Sequence, residues 1–394
     1  MKKTGLLLLL LLVCLAAGAQ RQTAYAGWPD SLARLTGLAP AGGNSVSYTH
    51  SGTVFLDGLV KDIRAARESV SMEFYWFDTD SAGRMVRDLL ADKAREGVRV
   101  RLIIDNLVTP LAPEFFYDKI RKAGGEVLYA SDFRKMSLPA SLSRVIRERD
   151  HRKILVVDHR IAYTGGMNIC DPAIFEWDDL EMRIEGPAAA SMEKLFARSW
   201  EKMGGGRVPV PEADAEGPVV IQMIPGDADG IVADIYAQAV RKARDYLYIR
   251  TPYFIPPDDL QEALLEAARR GVDVRMLLAK SDHSFVDEAA KDYYAPLLEA
   301  GVRISVREDK FDHSKAFVAD DEIVCCGTLN WDNRSFFINL ENNIFLYDEA
   351  FAREMAEDFL RTEASARQKT ASDGEARGLR RLYRGFLRWF TPLL

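Results

Sequence analysis

The sequence carries one constellation of reactive residue types twice. His151, Lys153, Asp158, Gly165, Gly166 and Asn168 follow the spacing H-x-K-x4-D-x6-G-G-x-N. His313, Lys315, Asp320, Gly327, Thr328 and Asn330 repeat it, with threonine in place of the second glycine. Such a pattern arises by chance on the order of once in 10⁴ chains, and a second copy makes coincidence negligible. On a strand, residues i and i+2 share a face, so the histidine and lysine of each copy project together. Ile154, Val156 and Phe317 then point the other way, into a core. Lysine supplies a cation and three donors suited to phosphate oxygens. Asn168 and Asn330 close the returning strands and add amide donors. Gly165 and Gly327 permit close backbone approach, and Gly166 and Thr328 are small residues beside them. Asp158 and Asp320 are expected to neutralise or orient basic partners.

Packed about a two-fold axis, the copies would gather two histidines, two lysines and two asparagines around one phosphodiester. One histidine can attack phosphorus and form a covalent intermediate. The other can protonate the leaving alkoxide and then activate the incoming hydroxyl. The lysines and amides would stabilise charge on the equatorial oxygens. This chemistry calls for no cofactor and no metal: no H-x-x-x-H pair or carboxylate cluster has ligand spacing. His50, His159 and His283 stand outside the pattern and are expected to be structural.

The elements that would position these residues also repeat. GVRVRLII (97–104) and GVDVRMLL (271–278) each follow a helical stretch, itself preceded by an aromatic-rich strand, SVSMEFYWF or YLYIRTPYF. A second helix and Gly-led strand come next, AGGEVLYA or AGVRISV, and then the motif hairpin. Each unit therefore reads strand–helix–strand–helix–strand–strand–strand. That alternation predicts an α/β fold of two pseudo-two-fold-related α/β/α domains, with mixed sheets flanked by helices. The domains are expected over 20–203 and 218–366. Residues 204–217, rich in Gly and Pro, form a linker, and 367–394 a polar linker and basic amphipathic helix.

The duplicated motif resembles that of the phospholipase D superfamily. HRKILVVDHRIAYTGGMNICDP, TPYFIPPDD, HSKAFVADDEIVCCGTLNWDNRSFFINLENN and the terminal RGFLRWFTPLL are similar to bacterial cardiolipin synthases. The resemblance implies one bilobal catalytic unit that works through a phosphatidyl-histidine, with phosphatidylglycerol as substrate and cardiolipin as product. By position it makes His151 the nucleophile and His313 the acid/base. It gives the phosphate to Lys153, Lys315, Asn168 and Asn330, and a supporting role to Asp158 and Asp320. It also implies that Glu341 bonds a catalytic histidine, with Glu185 or Asp179 doing so in the first half. A phospholipase D-type hydrolase shares these features and differs in using water as acceptor. An exported phosphodiesterase or nuclease is a further alternative, although the net charge of −7 disfavours a surface that grips nucleic acid.

The ends of the chain point to an envelope. Met1-Lys2-Lys3, an uncharged run from Gly5 to Ala16 and Ala17-Gly18-Ala19 have the layout of a secretory signal peptide over residues 1–19, or of a short anchor. The expected location is the periplasmic face of a bacterial inner membrane. Residues 377–394 hold five arginines and no acid on an otherwise acidic chain. Leu379, Leu382, Phe386, Leu387 and Phe390 share one helical face, with Trp389 and Tyr383 suited to headgroup level, which predicts an interfacial helix on anionic lipid. Cys170, Cys325 and Cys326 cannot form a disulfide framework at this length and are expected to act as small buried hydrophobes.

Overall fold

The structure is a computed structural model. It describes residues 23–105, 115–130, 148–213, 216–280 and 284–370, with positions 373, 383, 386, 387 and 391 beyond them. The segment 1–19 and the five tail arginines lie outside the described residues.

The first half contains α1 (Trp28–Thr36), β1 (Ser45–Ser51), α2 (Gly52–Ala65), β2 (Ser69–Phe74), α3 (Ser81–Arg95) and β3 (Arg99–Ile104). It continues with α4 (Phe115–Lys122), β4 (Glu126–Tyr129), β5 (Lys153–Val157), β6 (Ile161–Gly165), α5 (Asp171–Phe175), β7 (Asp178–Glu185) and α6 (Ala188–Lys202). The second half runs β8 (Val220–Asp227), α7 (Ile231–Lys242), β9 (Tyr246–Thr251), β10 (Phe254–Ile255), α8 (Asp258–Arg269), β11 (Asp273–Ala279) and α9 (Ser284–Glu299). Then follow β12 (Arg303–Arg307), β13 (Ala316–Ala319), β14 (Ile323–Gly327), β15 (Trp331–Asp332), α10 (Asn333–Phe337), β16 (Leu340–Tyr347), α11 (Glu349–Glu363) and β17 (Arg367–Gln368).

The first sheet has the order β1-β7-β6-β5-β2-β3-β4, and the second β8-β16-β14-β13-β9-β11-β12-β17. Apart from β17, the second order repeats the first, strand for strand. In each sheet the crossover strands are parallel (β2-β3-β4, β9-β11-β12) and the motif hairpin with its neighbours is antiparallel. The sheets are mixed and flanked by helices, as the repeat predicts.

The sequence units lack two strands per half. β7 carries Asp178, Asp179, Glu181, Arg183 and Glu185, so no apolar run marks it. It forms because β6 and β1 offer backbone partners on both sides. The edge strands β1 and β8 are the second omission. Residues 23–41 also depart from the expected first domain. Trp28 stacks on Phe345, the Tyr25 hydroxyl donates to the Ala239 carbonyl, and Ala41 bridges Ile221, so this stretch packs on the second half. Arg367–Gln368, expected to be linker, pairs with the exposed edge of β12.

Three apolar clusters hold the molecule together. Two lie on the outer faces of the sheets. The third lies between them, where Ile154, Val156 and Met182 of the first sheet meet Met223, Val324 and Ile344 of the second, with α6 and α11 filling the gap. Burial at about 25 cal/mol per Å² makes this shared core the main bond between halves. Cys170, Cys325 and Cys326 are buried and form no disulfide. His50 meets Asp358, and His159 meets Glu193, consistent with structural roles.

Candidate active site

Each motif histidine is tied to the opposite half by its own backbone. His151 N–H donates to the Leu340 carbonyl and Leu340 N–H to the Arg149 carbonyl, at 2.9 and 2.8 Å. The mirror relation joins His313 to Asp178 and Asp178 to Phe311, at 2.7 and 3.1 Å. The side chains repeat the exchange. Nδ1 of His151 lies 2.9 Å from Glu341 Oε2, and Nδ1 of His313 lies 2.7 Å from Asp179 Oδ2. Asp179 and Glu341 each stand eleven positions after the motif asparagine, so a fixed offset identifies the pair. Glu185 instead bonds Arg160 and Arg183 at the far end of β7.

With Nδ1 occupied, Nε2 is the nitrogen each ring has left for a ligand. Both rings line one pocket of about 580 Å³, together with Asn168 and Asn330. Neither asparagine side chain bonds a described residue, and both amide oxygens are buried without a partner. Their hydrogen-bonding capacity is thus unspent, which favours a polar ligand. Tyr75 packs edge-on against His151, and Trp177 tilts against His313.

Lys153 and Lys315 sit one layer deeper than the pocket wall. Each ammonium donates to the carbonyl of its own motif histidine, at 2.9 and 2.5 Å. Burial pushes Lys153 down to about 8 and Lys315 to about 7. Burial, with the two lysine charges, also holds His151 well below the ordinary histidine value, and burial drives His313 to about 4. Glu341 rises to about 7 through burial, against the pull of a Thr328 hydrogen bond and of Lys153. Burial thus disfavours the charged forms of both lysines and both histidines, and an anionic phosphodiester in the pocket would offset that cost.

The glycines act as expected. A Cβ at Gly165 would fall 2.1 Å from the Leu180 carbonyl oxygen, and one at Gly327 2.3 Å from that of Asn342. A Cβ at Gly166 would fall 2.1 Å from Asp179 Oδ1. Thr328 fills the equivalent place by donating its hydroxyl to Glu341 Oε2 at 2.5 Å.

The family model described as "Cardiolipin synthase, PLD-like domain" matches residues 59–200 and 236–362, one segment in each half. A cardiolipin synthase of Clostridium perfringens is 32% identical over 88% of this chain and 76% of that one. Cardiolipin synthase A of Escherichia coli O157:H7 is 33% identical over 82% of this chain and 70% of its own length. The chain belongs to the phospholipase D-like cardiolipin synthase family. The phosphatidylserine synthase structure from Haemophilus influenzae shares the fold, with a TM-score of 0.66 at 13% identity, covering 89% of this chain and 95% of that one.

Two motif residues of the family pattern lie away from the pocket. Asp158 and Asp320 occupy the tips of the motif hairpins with positive φ of 50° and 58°. The Asp158 carboxylate accepts from the backbone N–H groups of Arg67, Glu68 and Ser69. Asp320 does the same for Arg244, Asp245 and Tyr246. Each pins the start of the neighbouring strand through three backbone amides at a hairpin tip, where a basic partner was expected. Sequence reasoning also missed Arg334, Asp332 and Asn339 on the pocket wall. These follow the second motif in a stretch, 331–339, whose first-half counterpart has different residue types, so the repeat gave no signal for them.

Proposed function

We propose that the protein is a phosphatidyltransferase that joins phosphatidylglycerol to a second phospholipid and releases glycerol. The observation that carries this reading is the pair of histidines, each held at Nδ1 by a carboxylate of the other half, on the wall of one pocket. His151 Nε2 attacks phosphorus, a P–N bond forms and the P–O bond to glycerol breaks. The leaving alkoxide takes a proton from His313. The acceptor hydroxyl then gives His313 a proton as its oxygen bonds phosphorus and the P–N bond breaks, which restores both rings. Bound phosphate raises the pKa of His313, so the ring can hold the proton it must deliver. Asn168 and Asn330 orient the phosphate, and the lysines stabilise its charge from beneath. Glu341 and Asp179 fix the tautomers.

Purified protein incubated with phosphatidylglycerol in mixed micelles tests the reading, with lipid products identified by mass spectrometry. Cardiolipin with free glycerol supports it, and phosphatidic acid as the only lipid product means hydrolysis instead. We place the enzyme on an anionic membrane surface, exported to the periplasmic face. Residues 1–19 as a signal or anchor and the arginine-rich tail support this placement.

A further inference from the structure

Beside the catalytic pocket lies a second cavity of about 200 Å³, and the two share Tyr253 and Val286 as a common wall. Its lining is basic although the chain is acidic overall. Lys280, Lys291, Arg367 and Lys369 face it against Asp287 and Glu308. Two of these cations are engaged. Lys291 pairs with Glu288, and Arg367 with Glu308 and Asp373. Lys280 and Lys369 form no ion pair with a described residue. The Lys369 ammonium lies 5.0 Å above the Tyr294 ring, and its backbone N–H is fixed to the Ile304 carbonyl next to β17. Asp373 and Asp287 act on Lys369 from a distance without pairing with it, so an ammonium held over an aromatic face beside other cations can still take an anion in the cavity.

The first half is built differently at the matching place. β3 passes into Asp105, which is fully buried and grips Arg149 through two bonds of 3.0 and 2.8 Å. The equivalent position is Ala279, at the end of β11, which lines the open cavity, and the counterpart of Arg149 is Phe311. The basic cavity therefore breaks the pseudo-two-fold symmetry around the active site. A transfer between two lipids needs such a break, because donor and acceptor must occupy different places. A phospholipid acceptor also brings its own phosphate, a short glycerol arm away from the attacking hydroxyl. Water brings none.

We propose that this cavity is the subsite for the phosphate of the acceptor lipid, held by Lys280 and Lys369. The assignment rests on the transferase reading above. It makes the basic cavity the feature that favours a phospholipid over water or an uncharged alcohol.

The full chain, incubated with phosphatidylglycerol and 1-butanol in mixed micelles, tests the assignment through the ratio of cardiolipin to phosphatidylbutanol. The Lys280→Ser/Lys369→Ser double variant should lower that ratio about tenfold, and Lys280→Arg/Lys369→Arg should restore it. A double serine variant with the wild-type ratio overturns the subsite and leaves the transferase reading intact. Wild-type protein that makes phosphatidylbutanol but no cardiolipin overturns both. Inorganic phosphate distinguishes the lipid from a free anion. As a competitor for the acceptor it lowers the ratio in wild type and not in the serine variant. If phosphate instead changes both products in parallel, the cavity binds a free phosphate effector and the assignment fails.

Discussion

Asp179, on the first sheet, binds Nδ1 of His313, just before β13 of the second, at 2.7 Å. Glu341 returns the relation to His151 at 2.9 Å. Neither half thus contains both members of a motif histidine–carboxylate pair. The active site exists only when the sheets are docked, and the core between them is a catalytic requirement as well as a structural one.

Removing either carboxylate should therefore disable chemistry while the fold survives. Asp179→Asn and Glu341→Gln keep the shape but let the ring adopt the wrong tautomer. A loss of kcat of about 10²-fold or more is expected, with KM changed far less. His151→Ala and His313→Ala should abolish turnover with unfolding curves close to wild type. Near wild-type activity in either histidine variant would defeat the two-histidine mechanism.

Gly166 and Thr328 give a sharper test, because they occupy equivalent places by different means. Gly166→Ala inserts a methyl where Asp179 Oδ1 already sits, 2.1 Å away. The carboxylate must leave His313, and activity should fall at least as far as in Asp179→Asn. Thr328→Ser retains the hydroxyl on Glu341 and should stay near wild type. Thr328→Ala removes a hydrogen bond to a buried carboxylate, worth about 1.5–3 kcal/mol, and should raise the Glu341 pKa further. Equal activity of Gly166→Ala and wild type would show that the Asp179 position is not what the site requires.

These residues also mark what the sequence made legible. The motif hairpin and the mixed α/β sheets follow from spacing and alternation alone, whereas His151, His313 and Lys315 lie just before β5 and β13 and not on them. The carboxylate partners needed one more step, the shared offset of eleven from the motif asparagine. Asp158 and Asp320 misled because a carboxylate near a basic row suggests charge pairing. Their left-handed backbone, which gathers three amides around each carboxylate, is invisible in one dimension. β7 does alternate, with Leu180, Met182 and Ile184 against Glu181, Arg183 and Glu185, but the acidic pair Asp178-Asp179 at its start and the lack of a continuous apolar run hid it. The docking of residues 23–41 on the far half is a long-range contact that no local pattern encodes.

The depressed pKa values set two pH effects. His313 falls from 6.5 to about 4 on folding. Between those values the unfolded chain holds more protons, so stability is lost as pH falls from about 6.5 to 4, by roughly 3 kcal/mol from this group. His313→Asn should flatten that part of the stability profile, measured by urea unfolding. Lys315, at about 7, and Lys153, at about 8, are incompletely protonated near pH 8. An anion raises both, so binding of a phosphate analogue at pH 8 should take up protons. Calorimetry in buffers of different ionisation heat reads this directly, and no buffer dependence would mean the lysines are already fully charged.

Excess EDTA should leave turnover unchanged, since Lys153 and Lys315 supply the positive field at the phosphate. Activity lost to EDTA and restored by one divalent ion would place a metal in the reaction.

The tail is where anchoring to the body and to a membrane must be separated. Leu387 is buried in the second-half core, and the Thr391 carbonyl accepts from Asn333 Nδ2 at 3.1 Å, so part of the tail docks on the protein. Phe386 and Tyr383 remain 60% and 45% exposed. Truncation after Gly374 removes both kinds of contact and costs the core about 2 kcal/mol for one leucine. Phe386→Ser/Tyr383→Ser keeps Leu387 in place and removes largely exposed apolar surface. Five arginines near an anionic surface contribute on the order of 5 kcal/mol before ordering costs, and salt screens them. Flotation with phosphatidylglycerol vesicles should therefore fall strongly on truncation, fall less in the double serine variant, and weaken with salt in wild type. Turnover of a short soluble phosphodiester should survive both changes, because no motif residue lies in the tail. Equal flotation of all three proteins would mean that the tail serves the fold alone.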